Sequence, residues 1–227
     1  MEALKVDSPT LDIEFVPRLS GQALEDFERI FEGSFPPDER ASTATMVDSI
    51  ARGTRLLLTG HRGGRQVALA VFLPLTGAAR GIHFLEYLAL DSSERASGIG
   101  STLLPMCLQV LRTDERGRLG IVAEVEPPEA VGDPEDTDTR ARRIGFDRRR
   151  NGAVLVEHAP RYLVPSLSGE GDLLHFHLMW LAADGPGQLT GALLRACVEA
   201  ILTQSYELHP HAPLTTANLA RLTASQL

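Results

Sequence analysis

The stretch His83-Phe84-Leu85-Glu86-Tyr87-Leu88-Ala89-Leu90-Asp91-Ser92-Ser93-Glu94-Arg95-Ala96-Ser97-Gly98-Ile99-Gly100-Ser101-Thr102-Leu103-Leu104 decides the fold. It opens as an apolar extended run over Gly81–Leu90, passes through a polar turn, and returns to helical spacing over Ser97–Leu111. Ile99, Leu103, Leu104, Cys107, Val110 and Leu111 fall on one face of that helix, as in a helix packed on a sheet. Pro105 removes one helical hydrogen bond, and a kink is expected there. Gly98 and Gly100 let successive backbone N–H groups point outward and let a ligand approach the chain closely. The helix N-terminus adds unpaired donors and the positive end of its dipole, so a diphosphate is the natural occupant of this turn. Arg95 places a cation on the same turn.

Working outward from this turn, residues 11–17 read as a short strand. Leu24, Phe27, Ile30 and Phe31 mark a helix from Gly21 to Phe31, which Ser34-Phe35-Pro36-Pro37 stops. A second helix is expected over about Asp38–Ala51, ending at Gly53. Arg55–Thr59 and Gln66–Leu75 are strand-like runs joined by the turn His61-Arg62-Gly63-Gly64. Downstream, Gly120–Glu126 reads as a strand closed by Pro127-Pro128, and residues 131–138 as an acidic loop. A helix at 138–147, strands at 153–157 and 172–182, a long loop at 157–171 and a helix at 187–206 follow. The order predicts a mixed α/β or α+β sheet with helices on both faces. Residues 1–207 are read as a single domain, with 208–227 as a C-terminal surface helix or tail. The stripe Leu189, Leu193, Leu194, Cys197, Ile201 and Leu202 would cover the sheet or form a homodimer contact.

With 227 residues, 43% hydrophobic and 23% charged, the composition is that of an ordinary globular protein. The sequence predicts no membrane span, because no apolar run approaches roughly 18–20 residues, and no signal peptide, because the N-terminus lacks a basic-then-apolar pattern. Cys107 and Cys197 are its two cysteines, each inside an apolar helical pattern. That speaks against a disulfide scaffold and for a reducing, cytoplasmic setting. The formal net charge of −8 and a pI near 5.4 argue against non-specific nucleic-acid binding and suit a cationic small substrate. A local basic patch, Arg140, Arg142, Arg143, Arg148, Arg149 and Arg150, reads either as a solvated helix end or as an anion site.

A Walker loop and a dinucleotide fingerprint are both excluded, because the turn reads Arg95-x-x-Gly98-x-Gly100. In that pattern, with its preceding strand and following Leu103-Leu104, the sequence resembles the GCN5-related N-acetyltransferase (GNAT) family. Phe35-Pro36-Pro37-Asp38-Glu39-Arg40 is similar to that family's Phe-Pro-x-x-Glu segment. Glu124-Val125-Glu126-Pro127-Pro128 falls where its fifth strand lies, and Arg143-Ile144-Gly145-Phe146-Asp147 resembles its Phe-Tyr-x-x-x-Gly-Phe region. The likeness spans about residues 11–182. It implies a mostly antiparallel mixed sheet splayed between its fourth and fifth strands, and acetyl-CoA or another acyl-CoA as co-substrate. It also implies that Leu88, Ala89 and Leu90 pair with the pantetheine arm. The amides of Arg95, Ala96, Ser97, Gly98, Ile99, Gly100 and Ser101 would hold the pyrophosphate. No metal or redox cofactor is implied.

Amine acylation needs a neutral amine, a polarised thioester carbonyl and a stabilised leaving thiolate. Glu86 lies inside an apolar run, on the face of Phe84 and Leu88 by strand alternation, where a carboxylate is costly unless paired or facing a cleft. Glu124 and Glu126 share one face of the next strand. Glu86 or Glu124 is read as base or ammonium anchor, and Glu126 as a secondary substrate contact. Many members of the family carry a tyrosine where this chain has Asp147, and Tyr162 is an alternative source of a hydroxyl. Tyr87 and Trp180 read as core. His175 and His177 occupy one strand face, without a third ligand for a metal. The expected function is transfer of an acetyl or similar acyl group from coenzyme A to a primary amine of a small molecule. The rival, motivated by Asp147, is an acyl-CoA-binding module with a sensing or partner-binding role.

Overall fold

The computed structural model describes residues 5–7, 11–37, 39–94, 99–113, 119–127, 152–156, 159, 162–166, 172–184, 187 and 189–224. One twisted sheet organises them. Its strands are β1 (Lys5–Asp7), β2 (Asp12–Val16), β3 (Leu56–Arg62), β4 (Arg65–Pro74), β5 (Ile82–Leu90), β6 (Gly120–Val125), β7 (Val154–Leu155), β8 (Tyr162–Pro165) and β9 (Leu173–Ala182). The helices are α1 (Gln22–Ser34), α2 (Thr43–Ala51), α3 (Gly100–Leu111), α4 (Gly191–Gln204) and α5 (Pro213–Ala224). The strand order is β1-β2-β3-β4-β5-β6-β9-β7, with β8 also paired to β9. Every described pairing is antiparallel except β5 with β6, which α3 connects as a crossover.

Three apolar clusters follow from the alternation of the strands. Phe27, Ile30 and Phe31 of α1 and Met46 and Ile50 of α2 cover one face of β3–β5, against Leu57, Leu69, Val71 and Tyr87. Beside them, α4 and α5 cover the same layer over β6, β8 and β9, with Leu194, Cys197, Val198 and Ile201 packed on Val122, Leu178 and Trp180. On the opposite face α3 lays Ile99, Leu103, Cys107 and Leu111 over Leu58, Ala70, Phe72 and Ile121. Both cysteines are free and buried. Tyr87 is core, as its sequence setting suggests: its ring meets Phe31 and Phe35 edge-on, and its hydroxyl accepts the Ala41 N–H at 3.0 Å.

Several sequence expectations change. The second helix begins at Thr43 rather than near Asp38, because Ser42 caps it, its Oγ accepting the Thr45 N–H at 3.1 Å. The hairpin turn shrinks to Gly63-Gly64, both left-handed at φ +57° and +79°, with His61 and Arg62 drawn into β3. The loop read at 157–171 contains β8, whose Tyr162, Leu163 and Val164 pair with Phe176, His175 and Leu174. The last segment is no loose tail: Leu219 and Leu222 of α5 are buried, and the Asn218 side chain bonds both backbone groups of Leu163. Helix α3 runs unbroken from Gly100 to Leu111 with Pro105 inside it. The helix expected at 138–147 and the basic patch around it lie outside the described residues.

Candidate active site

The β5–β6 ladder runs from Ile82↔Gly120 to Leu85↔Ala123 and stops there, although β5 continues to Leu90 and β6 to Val125. The strands part at Glu86 and Glu124, the next residue on each. Across β5, β4 remains paired from Val71↔Tyr87 to Ala68↔Leu90, so Tyr87–Leu90 lack a ladder partner on the β6 side alone. A second irregularity sits at the same place. Val71 opposes Tyr87 and Phe72 opposes Leu85, which leaves Glu86 as the extra residue of a β-bulge. The bulge corrects the alternation read from sequence: Phe84 packs with the α4 layer, whereas Leu88 packs with the α3 layer.

Glu86 is closely held. Arg55 grips it at two points, Nε 2.6 Å from Oε2 and Nη2 3.0 Å from Oε1, and the Ser205 Oγ donates to Oε1 at 2.7 Å. Its side chain is 7% exposed, so the ion pair offsets a desolvation that a lone carboxylate would not survive. Glu124 is held differently. The Tyr206 hydroxyl donates to Oε2 at 2.6 Å, while Oε1 is buried and, among the described residues, has the Tyr162 hydroxyl near it but no partner in hydrogen-bond geometry. Burial raises this carboxyl to about 7, helped by the charge of Glu86, while the Tyr206 hydrogen bond and the nearby Tyr162 hydroxyl pull it down. The Tyr162 hydroxyl is itself buried and, among the described residues, has Glu124 beside it but no partner in hydrogen-bond geometry; burial followed by the Glu124 charge pushes it well above the usual phenol value. Glu126 lies beyond the end of β6 and is exposed.

Ser205 and Tyr206 were not legible as site residues. They follow α4 directly, where the chain turns back: the Ser205 N–H donates to Ile201 O at 2.9 Å and the Leu208 N–H to Leu202 O at 3.0 Å. Glu207 between them takes a left-handed φ of +53°, unusual for a residue other than glycine. The nearest sequence signal is the polar Ser205-Tyr206-Glu207 where the apolar spacing of α4 ends.

At the other end of β5, Asp91 shapes the turn that leads to α3. Its Oδ1 accepts both the N–H and the Oγ of Ser93, at 2.9 and 2.6 Å, and its Oδ2 is paired with Arg29 and Arg65. Glu94 pairs with Arg62 at 2.8 Å. Arg95, Ala96, Ser97 and Gly98 lie outside the described residues, as does Asp147. Ile99 is buried under the sheet, and Gly100 opens α3 with no side-chain cap. Among the described residues, a Cβ on Gly100 would meet Leu90 alone, at 3.5 Å. Among the described residues, Leu88–Leu90 have no ladder partner on the side away from β4, and α3 begins at Gly100 directly after residues 95–98. His175 and His177 stack edge-on, their ring centroids 5.4 Å apart, and no group of three or more potential metal ligands occurs among the described residues. Nor is any described helix long and apolar enough to cross a membrane.

Solved structures share this architecture. A protein assigned to the GNAT family of acetyltransferases from Bacteroides thetaiotaomicron matches with a TM-score of 0.69 at 21% identity, over 86% of this chain and 99% of that one. An aminoglycoside 6′-N-acetyltransferase complexed with coenzyme A matches at 0.56 and 15%, over 78% and 99%. The aminoglycoside 6′-N-acetyltransferase of Enterococcus faecium matches at 0.53 and 15%, over 78% and 99%. No family model and no curated protein sequence matches the chain. The chain has the GCN5-related N-acetyltransferase fold.

Proposed function

We propose that this chain transfers an acetyl or similar acyl group from acyl-CoA to a primary amine of a small molecule, with Glu124 as the base. One observation carries the reading. Where two parallel strands separate, a buried carboxylate keeps one oxygen, Oε1, without a partner in hydrogen-bond geometry among the described residues, and its pKa is raised to about 7. A carboxylate in that condition is poised to take a proton near neutral pH. Glu86 is less suited, because Arg55 and Ser205 already occupy both its oxygens. Instead its charge adds, behind burial, to raising the Glu124 carboxyl.

In the proposed reaction the ammonium group of the substrate gives one proton to Glu124 Oε1. The free amine then forms a C–N bond to the thioester carbonyl carbon. The tetrahedral adduct collapses by breaking the C–S bond, and the second amine proton ends on the departing sulfur, giving amide and free thiol. We assign Tyr162, whose hydroxyl is buried beside Glu124, to pass that proton to sulfur. The strand edge of Leu88–Leu90 would hold the pantetheine amides, and the amides of residues 95–101 the diphosphate. The sharing of this fold with two aminoglycoside acetyltransferases supports an amine-bearing small molecule as acceptor.

The test is thiol release from acetyl-CoA over a panel of small amines, with wild type and Glu124→Gln side by side. A wild-type rate that falls at least about a hundredfold in Glu124→Gln supports the assignment. Equal rates in both remove Glu124 from the chemistry. Tight acetyl-CoA binding with no release on any amine would favour a binding module instead.

A further inference from the structure

Two consecutive residues at the exit of α4 reach both carboxylates at the strand divergence. Ser205 Oγ donates to Glu86 on β5 at 2.7 Å, and the Tyr206 hydroxyl donates to Glu124 on β6 at 2.6 Å. The acceptors are 119 and 82 residues away in sequence, so neither contact is a by-product of local geometry. The donors are themselves fixed: Ser205 and Tyr206 both donate their N–H groups to Ile201 O, and the turn closes on Leu202. A carboxylate on an opening strand end has a free torsion at its terminal bond, and a single donor on one oxygen decides where the other points. We propose that Tyr206, backed by Ser205, is a positioning residue of the acyl-transfer site, turning Glu124 so that Oε1 alone is left for the substrate ammonium.

The inference rests on Glu124 being the base. It goes further by giving the C-terminal helical unit a share in catalysis rather than in packing alone. Among the described residues, the groups that act on Glu124 are Tyr206 beyond α4, Tyr162 on β8 and Glu86 on β5, and the buried Cys197 thiol of α4 feels the Glu124 charge in turn. Arg55 is taken up by Glu86, and His177 lies one register step away on β9, opposite Val125. Among the described residues Tyr206 makes the short hydrogen bond on the Glu124 carboxyl, at 2.6 Å, with the Tyr162 hydroxyl the neighbour on the other side. The Tyr206 donation favours the charged carboxylate, so its loss must raise the carboxyl's pKa.

Tyr206→Phe keeps the ring and removes only the hydroxyl. In the full-length protein its acid limb of kcat/KM should move up by about half to one pH unit, a loss of about three- to tenfold below the limb, with rates at high pH near wild type. A residue that only packs would leave the limb where it was. The second measurement needs no turnover: the carboxyl carbon of Glu124 is titrated by NMR in glutamate-labelled protein, assigned through Glu124→Gln. A midpoint that rises in Tyr206→Phe supports the proposal. An unchanged midpoint in a folded Tyr206→Phe protein overturns it, whatever the activity. If the midpoint rises but wild type acylates no amine, Tyr206 still positions Glu124 and it is the acyl-transfer reading that fails. Ser205→Ala is the companion variant. It should lower kcat with little change in KM, and Ser205→Thr, which restores a donor, should recover it; equal rates in both would remove Ser205 from the arrangement.

Discussion

Arg55 meets Glu86 in a two-point ion pair, Nε to Oε2 at 2.6 Å and Nη2 to Oε1 at 3.0 Å, at the residue where β5 bulges away from β4. The guanidinium fork matches the carboxylate plane, and an ammonium cannot reproduce that match. Arg55→Met would leave a nearly buried carboxylate uncompensated. Because the arginine side chain keeps 19% exposure, the loss should fall toward the lower end for buried pairs, about 2–4 kcal/mol by urea denaturation. Arg55→Lys should recover only part of this. If Arg55→Met were as stable as wild type, Glu86 would not need the pair and its position at the bulge would have another cause.

Gly120 sets the start of β6 and with it the placement of Glu124 four residues on. Its φ of +149° and the space around it both exclude a side chain: a Cβ would lie 2.3 Å from the Leu181 carbonyl and 2.7 Å from the Trp180 ring. The obstacle includes backbone, which cannot step aside as a flexible side-chain end could. Gly120→Ala should therefore cost at least about 2 kcal/mol in a denaturant titration. It should also lower turnover in the fraction that remains folded, since the Ile82↔Gly120 and Gly120↔Ala182 pairings shift together.

Much of this arrangement was legible in the residues. The apolar alternation of β3–β5 and the helical spacing of α3 are local signals, and each landed on the element it implied. What was not legible is long-range or breaks a period. The bulge at Glu86 leaves the composition of β5 unchanged, so alternation assigned Leu88 to the wrong layer. Strand β8 was hidden because Pro160 and Pro165 frame it and read as loop, although Pro165 sits at the strand's last position where a missing N–H is tolerated. Tyr206 reaches Glu124 across 82 residues, and no spacing rule connects them.

Gly100 separates helix stability from ligand binding. An aspartate there lies in the first turn of α3, where negative charge is favourable to the helix dipole, and among the described residues its Cβ would meet Leu90 alone, at an ordinary 3.5 Å. Gly100→Asp should thus leave thermal stability within about 0.5 kcal/mol of wild type. The same carboxylate would face a bound diphosphate with like charge, and acetyl-CoA affinity by calorimetry should drop at least about tenfold. Gly100→Ala should bind nearly as wild type. If Gly100→Asp bound acetyl-CoA unchanged, the start of α3 would not be the diphosphate site.

Glu124 makes opposite demands on stability and activity as pH changes. Its carboxyl is raised from an ordinary 4.5 to about 7, with burial as the leading cause. Below the ordinary value both folded and unfolded chains carry the proton, and this group costs nothing. Between there and about 7 the unfolded chain releases the proton and the folded one keeps it, so stability falls as pH rises, levelling off above. Activity runs the other way, because a base must be deprotonated, and kcat/KM should climb through an acid limb near 7. Glu124→Gln removes both effects at once. Its unfolding free energy should decline less than that of wild type between pH 5 and pH 8, measured by urea titration at each pH, while its turnover is lost throughout. If the two proteins kept parallel stability curves, the buried carboxyl would not be held protonated, and Glu124 would be an ordinary ionised glutamate without the raised pKa that the base role requires.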